Sequence, residues 1–182
     1  MTQTYDLTGK SIVVTGATSG IGLAAVKKFV DSGAFVIGVG RSEARNQNAT
    51  VQVSAGEPNG KGVYLLADLA VQDQIRSLSI SIRRVLSERG FSQLDVLVNN
   101  AGVYLEKKHM TEDGIEKTFA VNHLAPFLLT QKLIGLLHSA EHARVLTVSS
   151  YSHRTTSLNL NRITDPKPYI GLLAYKRSKL CN

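Results

Sequence analysis

Residues 12–22 read Ile12-Val13-Val14-Thr15-Gly16-Ala17-Thr18-Ser19-Gly20-Ile21-Gly22. The β-branched run from Ile12 to Thr15 has the composition of a strand buried on both faces, and glycines that permit a sharp turn follow it. From Ile21 to Ser32 the apolar residues Ile21, Ala25, Phe29 and Val30 suggest one helix face, and Gly33 is suited to end that helix. Strand, glycine-rich turn and helix in immediate succession open a βαβ unit. At such a turn the missing side chains let backbone N–H groups and the helix N-terminus approach a pyrophosphate. The spacing here is G-x-x-x-G-x-G rather than the more familiar G-x-G-x-x-G.

The same alternation continues outward. Phe35 to Val39 reads as a second strand, Val63 to Ala67 as a third, Asp95 to Val98 as a fourth and Ala143 to Val148 as a fifth. Between the third and fourth, Val71, Ile75, Leu78, Ile82 and Val85 recur at steps of three and four, which predicts an amphipathic helix. Thr111 is expected to start a long helix, with Glu112 and Asp113 at its positive end. Residues 41–61 are poorly patterned and contain the turn signal Glu57-Pro58-Asn59-Gly60. A polar loop with Pro166 and Pro168 leads to a last helix near Leu172. Short apolar strands alternating with helices predict an α/β fold of Rossmann type, a doubly wound parallel sheet with helices on both faces. With 182 residues and no repeat, low-complexity tract or linker, residues 1–182 read as a single domain.

The composition, 43% hydrophobic and 19% charged, is ordinary for a globular domain. A net charge of +7 and a pI near 9.6 raise the question of nucleic acid. The cations are scattered, as in Lys27-Lys28, Arg83-Arg84 and Lys107-Lys108, with no aromatic-interleaved patch, so an anionic small molecule fits better. No apolar run approaches the roughly 20 residues of a membrane span. The first ten residues lack the apolar core of a secretory signal. Cys181 is the only cysteine, which precludes an intramolecular disulfide and suits a reducing, cytoplasmic setting. It reads as a small, partly buried side chain rather than a nucleophile. No metal site is assigned, and a homo-oligomer is left open.

Cofactor choice is read where the second strand ends. Sites for NAD place an acidic residue there to accept hydrogen bonds from the ribose 2′-OH. Here the string is Val39-Gly40-Arg41-Ser42, which offers a planar cation and a hydroxyl to a 2′-phosphate and therefore favours NADP(H). Later, Tyr175-Lys176-Arg177-Ser178-Lys179 puts a phenol and an ammonium at i and i+4, on one helix face. An ordinary tyrosine titrates near pH 10, about three units too high for a good base at neutral pH, and a neighbouring cation lowers that value.

The glycine turn, Asp68-Leu69 after the third strand, Asn99-Asn100-Ala101-Gly102 after the fourth and the Tyr175-x-x-x-Lys179 pattern together resemble the short-chain dehydrogenase/reductase family along the whole chain. The resemblance implies that Gly16, Thr18, Ser19, Gly20, Ile21 and Gly22 hold the pyrophosphate, and that Arg41 and Ser42 read the ribose phosphate. It further implies that Asp68 and Leu69 lie beside the adenine, that Asn99, Ala101 and Gly102 leave room for the cofactor, and that Tyr175 and Lys179 also touch it. The asparagines of the NNAG string can tie neighbouring strands together.

For catalysis the resemblance implies Asn122, Ser150, Tyr175 and Lys179. Tyr175 would exchange a proton with a carbonyl or alcohol oxygen. Ser150 rather than Ser149 would hydrogen-bond that oxygen, although the register can shift by one. Asn122 lies in Val121-Asn122-His123-Leu124-Ala125-Pro126. Pro126 has no N–H, so the Asn122 carbonyl loses its usual helical partner. In the family that carbonyl holds a water linking the lysine to solvent; Pro126 could also serve only to bend the helix. The long Ser150–Tyr175 gap, His153 and the Ser178-Lys179 ending are similar to the retinol dehydrogenase and protochlorophyllide reductase branch, which handles lipophilic carbonyls and alcohols.

The family's sheet has seven parallel strands in the order 3-2-1-4-5-6-7, of which five are recognisable here. The rest would lie beyond Asn182, so the domain reads as C-terminally incomplete, with the fifth strand an exposed apolar edge and Lys179 on a fraying helix end. Two functions are expected to compete. One is an NADP(H)-dependent oxidoreductase interconverting carbonyl and alcohol; the other is a truncated, non-catalytic NADP(H)-binding or partner-binding protein.

Overall fold

β1 (Ser11–Thr15) is buried at every position because it pairs in parallel on both sides, with β2 (Phe35–Gly40) and with β4 (Val96–Asn99). β3 (Gly62–Leu66) extends the sheet beyond β2, and β5 (Arg144–Thr147) extends it beyond β4. The computed structural model describes residues 5–54 and 62–182. The sheet order is β3-β2-β1-β4-β5 with every pairing parallel, as the alternating pattern predicts.

The run Ile12-Val13-Val14 does not alternate in polarity because each face of β1 meets a different core. Val13, Ile37 and Leu97 pack with Ile75 and Ile82 of α3 (Gln72–Glu88) and with Leu129 and Leu133 of α5 (Ala125–His138). Ile12, Val14, Val36 and Val98 pack with Val26 and Val30 of α1 (Gly20–Asp31). Each fully buried aliphatic side chain contributes about 1.5–3 kcal/mol.

Two readings change. In α1 the buried line is Gly22-Val26-Val30, and Ile21 is 75% exposed. The face is set by how closely Gly22 meets the preceding turn, which apolar spacing does not register. The weakly patterned stretch after β2 forms α2 (Glu43–Ser54), mostly polar, with Asn46, Ala49 and Val53 buried. The turn expected at Glu57-Pro58-Asn59-Gly60 lies outside the described residues.

Thr111 does not start a helix. Residues 111–114 close a turn around Gly114 at φ 72°, and Met110 bridges Glu116 in antiparallel fashion. The helix begins only at Lys117, as α4 (Lys117–Phe119), capped by the Glu116 carboxylate, which accepts from Thr118 N–H and Phe119 N–H. Asp113 instead accepts from Gln72 N–H at the start of α3. A π-helical turn over Ala120–Leu124 joins α4 to α5, and α6 (Gly171–Leu180) follows the Pro166–Pro168 loop. As expected, β5 is an exposed edge, with Val145 43% and Leu146 48% accessible.

Candidate active site at the carboxyl ends of the strands

The turn after β1 leaves no room for side chains. Gly16 has φ 64°, and a Cβ built on it would lie 2.8 Å from Ala101 Cα. A Cβ on Gly22 would lie 2.2 Å from the Gly16 carbonyl oxygen. Ser19 stands at the N-cap of α1 without a side-chain capping bond, so the first turn keeps N–H groups for an anion. Two groups brace this turn. Tyr64 lies against Gly38 and donates its hydroxyl to Ala17 C=O at 3.1 Å, with burial pushing its phenol up to about 12. Asn100 donates to Thr15 C=O at 2.9 Å and to Gly16 C=O at 3.1 Å.

A cleft of about 230 Å³ opens above the turn. Of the residues expected to hold a cofactor, it is lined by Gly16, Thr18, Ser19, Arg41, Ser42, Asp68, Leu69, Ala101 and Gly102. Gly20, Ile21 and Gly22 stand behind it in the first turn of α1. Asn99 does not line it. That side chain is buried on the other side of the strand, donating to Thr130 Oγ1 at 3.2 Å, and the neighbouring Asn100 takes the cleft wall and ties β1 to β4. Successive residues of a strand point to opposite faces, so one step along β4 decides the matter.

The sequence reading missed Arg45 and Val121, both in the cleft wall. The Arg41–Arg45 spacing would have revealed the first had α2 been recognised. With its backbone turn, hydroxyls, two guanidinium groups and uncapped helix terminus, the cleft fits a phosphate-bearing dinucleotide.

α6 is docked by residues outside the Tyr-x-x-x-Lys pattern. Tyr169 donates to Leu105 C=O at 2.9 Å, and a Cβ on Gly171 would lie 2.2 Å from that same oxygen. Ser178 donates to Tyr175 C=O at 2.7 Å and accepts from Asn122 Nδ2 at 2.9 Å. Asn122, fully buried, also accepts from Val103 N–H at 2.7 Å and donates to Val103 C=O at 2.9 Å.

Lys179 is 4% exposed and donates from Nζ to Val148 C=O at 2.7 Å, while Ser149 donates to the Lys179 carbonyl at 3.1 Å. These ties overturn the expectation that the lysine sits on a fraying end, because β5 and its following residues hold it from the side. Burial pulls its ammonium below the usual lysine range.

Gly102 joins cleft and helix: a Cβ there would lie 3.4 Å from Lys179 Nζ and 3.5 Å from Asn122 Oδ1. Tyr175 is half-buried, with the exposed Tyr104 ring edge-on at 6.0 Å between centroids. Ser150 caps the short 3-10 helix over Tyr151–Thr155, its hydroxyl 2.9 Å from that of Ser152. The Asn122 carbonyl, freed by Pro126, accepts from Asn182 Nδ2 at 2.9 Å. Burial pushes the half-buried Cys181 thiol up, which makes it a poor nucleophile.

A family model described as short chain dehydrogenase matches residues 10–160. The WW domain-containing oxidoreductase of Gallus gallus is 38% identical over 99% of this chain and 44% of its own length. Retinol dehydrogenase 14 of Mus musculus is 36% identical over 96% of this chain and 54% of its own length. Among solved structures, the Pseudomonas aeruginosa RhlG/NADP active-site complex superposes with a TM-score of 0.76 at 26% identity, covering 100% of this chain and 66% of that one. The chain spans about half the length of the curated relatives it matches. A five-stranded parallel sheet with this glycine turn, matched over most of its length by that model, is that of a member: the chain belongs to the short chain dehydrogenase family.

Proposed function

We propose that this chain is the NADP(H)-binding and proton-transferring part of a cytoplasmic oxidoreductase that interconverts a carbonyl and an alcohol on a lipophilic substrate. The meeting at Gly102 carries the reading: Tyr175, Lys179 and Asn122 do not themselves line the cleft, but Lys179 Nζ and Asn122 Oδ1 approach its wall residue Gly102, and Lys179 is one helical turn from Tyr175. When bound, the nicotinamide supplies or accepts a hydride. Tyr175 Oη gives its proton to the carbonyl oxygen in reduction and takes it back in oxidation. The Lys179 ammonium favours the phenolate that results. Ser150 turns its hydroxyl from Ser152 to the reacting oxygen, and Asn122 keeps the loop after β4 against α6.

Arg41 and Ser42 just after β2, with Arg45 in the first turn of α2, support NADP(H), as does the likeness to the RhlG/NADP complex of Pseudomonas aeruginosa. Retinol dehydrogenase 14 among the relatives and the exposed Tyr104 ring beside Tyr175 support a lipophilic substrate. No helix among the described residues is long and apolar enough to cross a membrane.

The test is NADPH consumption with retinal or a long-chain aldehyde. Tyr175→Phe is expected to lower turnover by about 10²- to 10⁴-fold while leaving NADPH affinity unchanged. Equal turnover in variant and wild type refutes the mechanism. NADPH binding without turnover in the wild type would instead select a non-catalytic NADP(H)-binding protein.

A further inference from the structure

Arg41 stands between two hollows. On one side it walls the dinucleotide cleft; on the other lies a pocket of about 310 Å³ lined by Arg41, Val103, Tyr104, Leu105, His109 and Lys117. Val103 is also common to both. Lys117 opens α4, and Val121, four residues later, lines the dinucleotide cleft. Residues four apart lie on nearly the same helix face, so Lys117 carries the cleft wall outward by one turn. His109 is held beside it, because Lys117 N–H donates to His109 C=O at 2.9 Å.

The second pocket therefore collects two permanent cations and an imidazole, with no carboxylate in its lining. Neither Arg41 nor Lys117 has an ion-pair partner among the described residues. The acid next to Lys117 in sequence, Glu116, is buried and occupied in capping α4. Unpaired like charges around a hollow repel one another, and a dianion between them removes that cost.

We infer that Lys117, with His109 beside it, is the second cation of a subsite opened by Arg41, and that this subsite takes the 2′-phosphate dianion on the adenosine ribose of NADP(H). The inference rests on the NADP(H) reading above and adds a specificity-determining residue to it.

Calorimetric titration of the chain with NADP⁺ and NAD⁺ tests it in the wild type, Lys117→Gln, Lys117→Glu and Arg41→Ala, with circular dichroism to verify folding. Lys117→Gln is expected to weaken NADP⁺ by about tenfold, as loss of one charge-assisted contact does, and to leave NAD⁺ within about twofold. Lys117→Glu weakens NADP⁺ further. The wild-type affinity for NADP⁺ also falls more steeply with added NaCl than that of Lys117→Gln.

Equal losses for both nucleotides, or no loss for either, overturn the inference. If the wild type prefers NADP⁺ and only Arg41→Ala removes the preference, the cofactor reading stands and the role of Lys117 falls. If the wild type binds both nucleotides alike, both fall. Adenosine 2′-monophosphate should compete with NADP⁺ in the wild type and about tenfold less well in Lys117→Gln; inorganic phosphate competing as strongly overturns the assignment to the nucleotide.

Discussion

Replacing Asn122 by alanine removes three hydrogen bonds from a fully buried point where three parts of the chain meet: the loop after β4, the π-helical turn and α6. Val103 loses the partner of both its N–H and its C=O, whereas Ser178 keeps its bond to the Tyr175 carbonyl. At about 1 kcal/mol net per bond, plus the cost of leaving both Val103 groups unpaired, the loss comes to about 3–5 kcal/mol. With an m-value of about 2 kcal/mol/M in urea, the unfolding midpoint falls by about 2 M. Equilibrium unfolding followed by far-UV circular dichroism measures it. Asn122→Asp sharpens the test, since it keeps the Oδ1 acceptor but puts a second oxygen against Val103 C=O. It is expected to be at least as damaging at pH 7. A midpoint shift below about 0.5 M for Asn122→Ala would mean that Val103 finds other partners, and the account of how this site is held would be wrong.

Gly22→Ala drives a Cβ to 2.2 Å from the Gly16 carbonyl oxygen and 2.5 Å from Asn100 Nδ2, so the turn has to move. We expect about 1–3 kcal/mol of lost stability and at least about tenfold weaker NADPH binding, and retention of both in fluorescence titration and thermal melts contradicts the close-approach argument. Lys179 gives a pH dependence of definite sign. Its folded-state pKa is depressed, so at neutral pH the folded chain carries the cost of a buried ammonium. As pH rises from the depressed value towards the unfolded value, the unfolded chain binds more protons and the wild type gains stability. Wild type minus Lys179→Met, compared by melting temperature in that alkaline window, should therefore grow with pH, and a flat difference refutes the assignment.

Features written in local pattern were legible in the sequence. The β-branched run of β1, the glycine turn, the periodicity of α3 and the Tyr175–Lys179 pair need only neighbours a few residues away, and all lie in the elements expected. Features decided by contacts distant in sequence were not. α2 escapes because only Ala49 and Val53 supply its buried apolar contacts, while Asn46 holds it by donating to Leu65 C=O at 3.1 Å. The start of α4 is displaced from Thr111 because Glu116 makes the better cap, whereas Asp113 is committed to α3 across 41 residues. Asn99 and Asn100 could not be separated by composition, since only the facing of β4 decides which one meets the cleft.

Pro126 shows how one residue links these levels. Its missing N–H was legible as a freed Asn122 carbonyl, but the consequence for the helix was not. The Ala125 N–H reaches back five residues to Ala120 C=O, and this wider turn spans Asn122. Its side chain reaches Val103 and Ser178, while its backbone oxygen faces the end of α6, where Asn182 binds it. An α-helix continued through this point would have closed that oxygen on residue 126. The proline therefore makes the fixed side chain compatible with the open carbonyl: the side chain meets the helix that carries Tyr175 and Lys179, and the carbonyl meets Asn182 two residues past its end. Bending alone would not give the two halves of Asn122 separate partners, Ser178 within α6 for the side chain and Asn182 just past its end for the carbonyl.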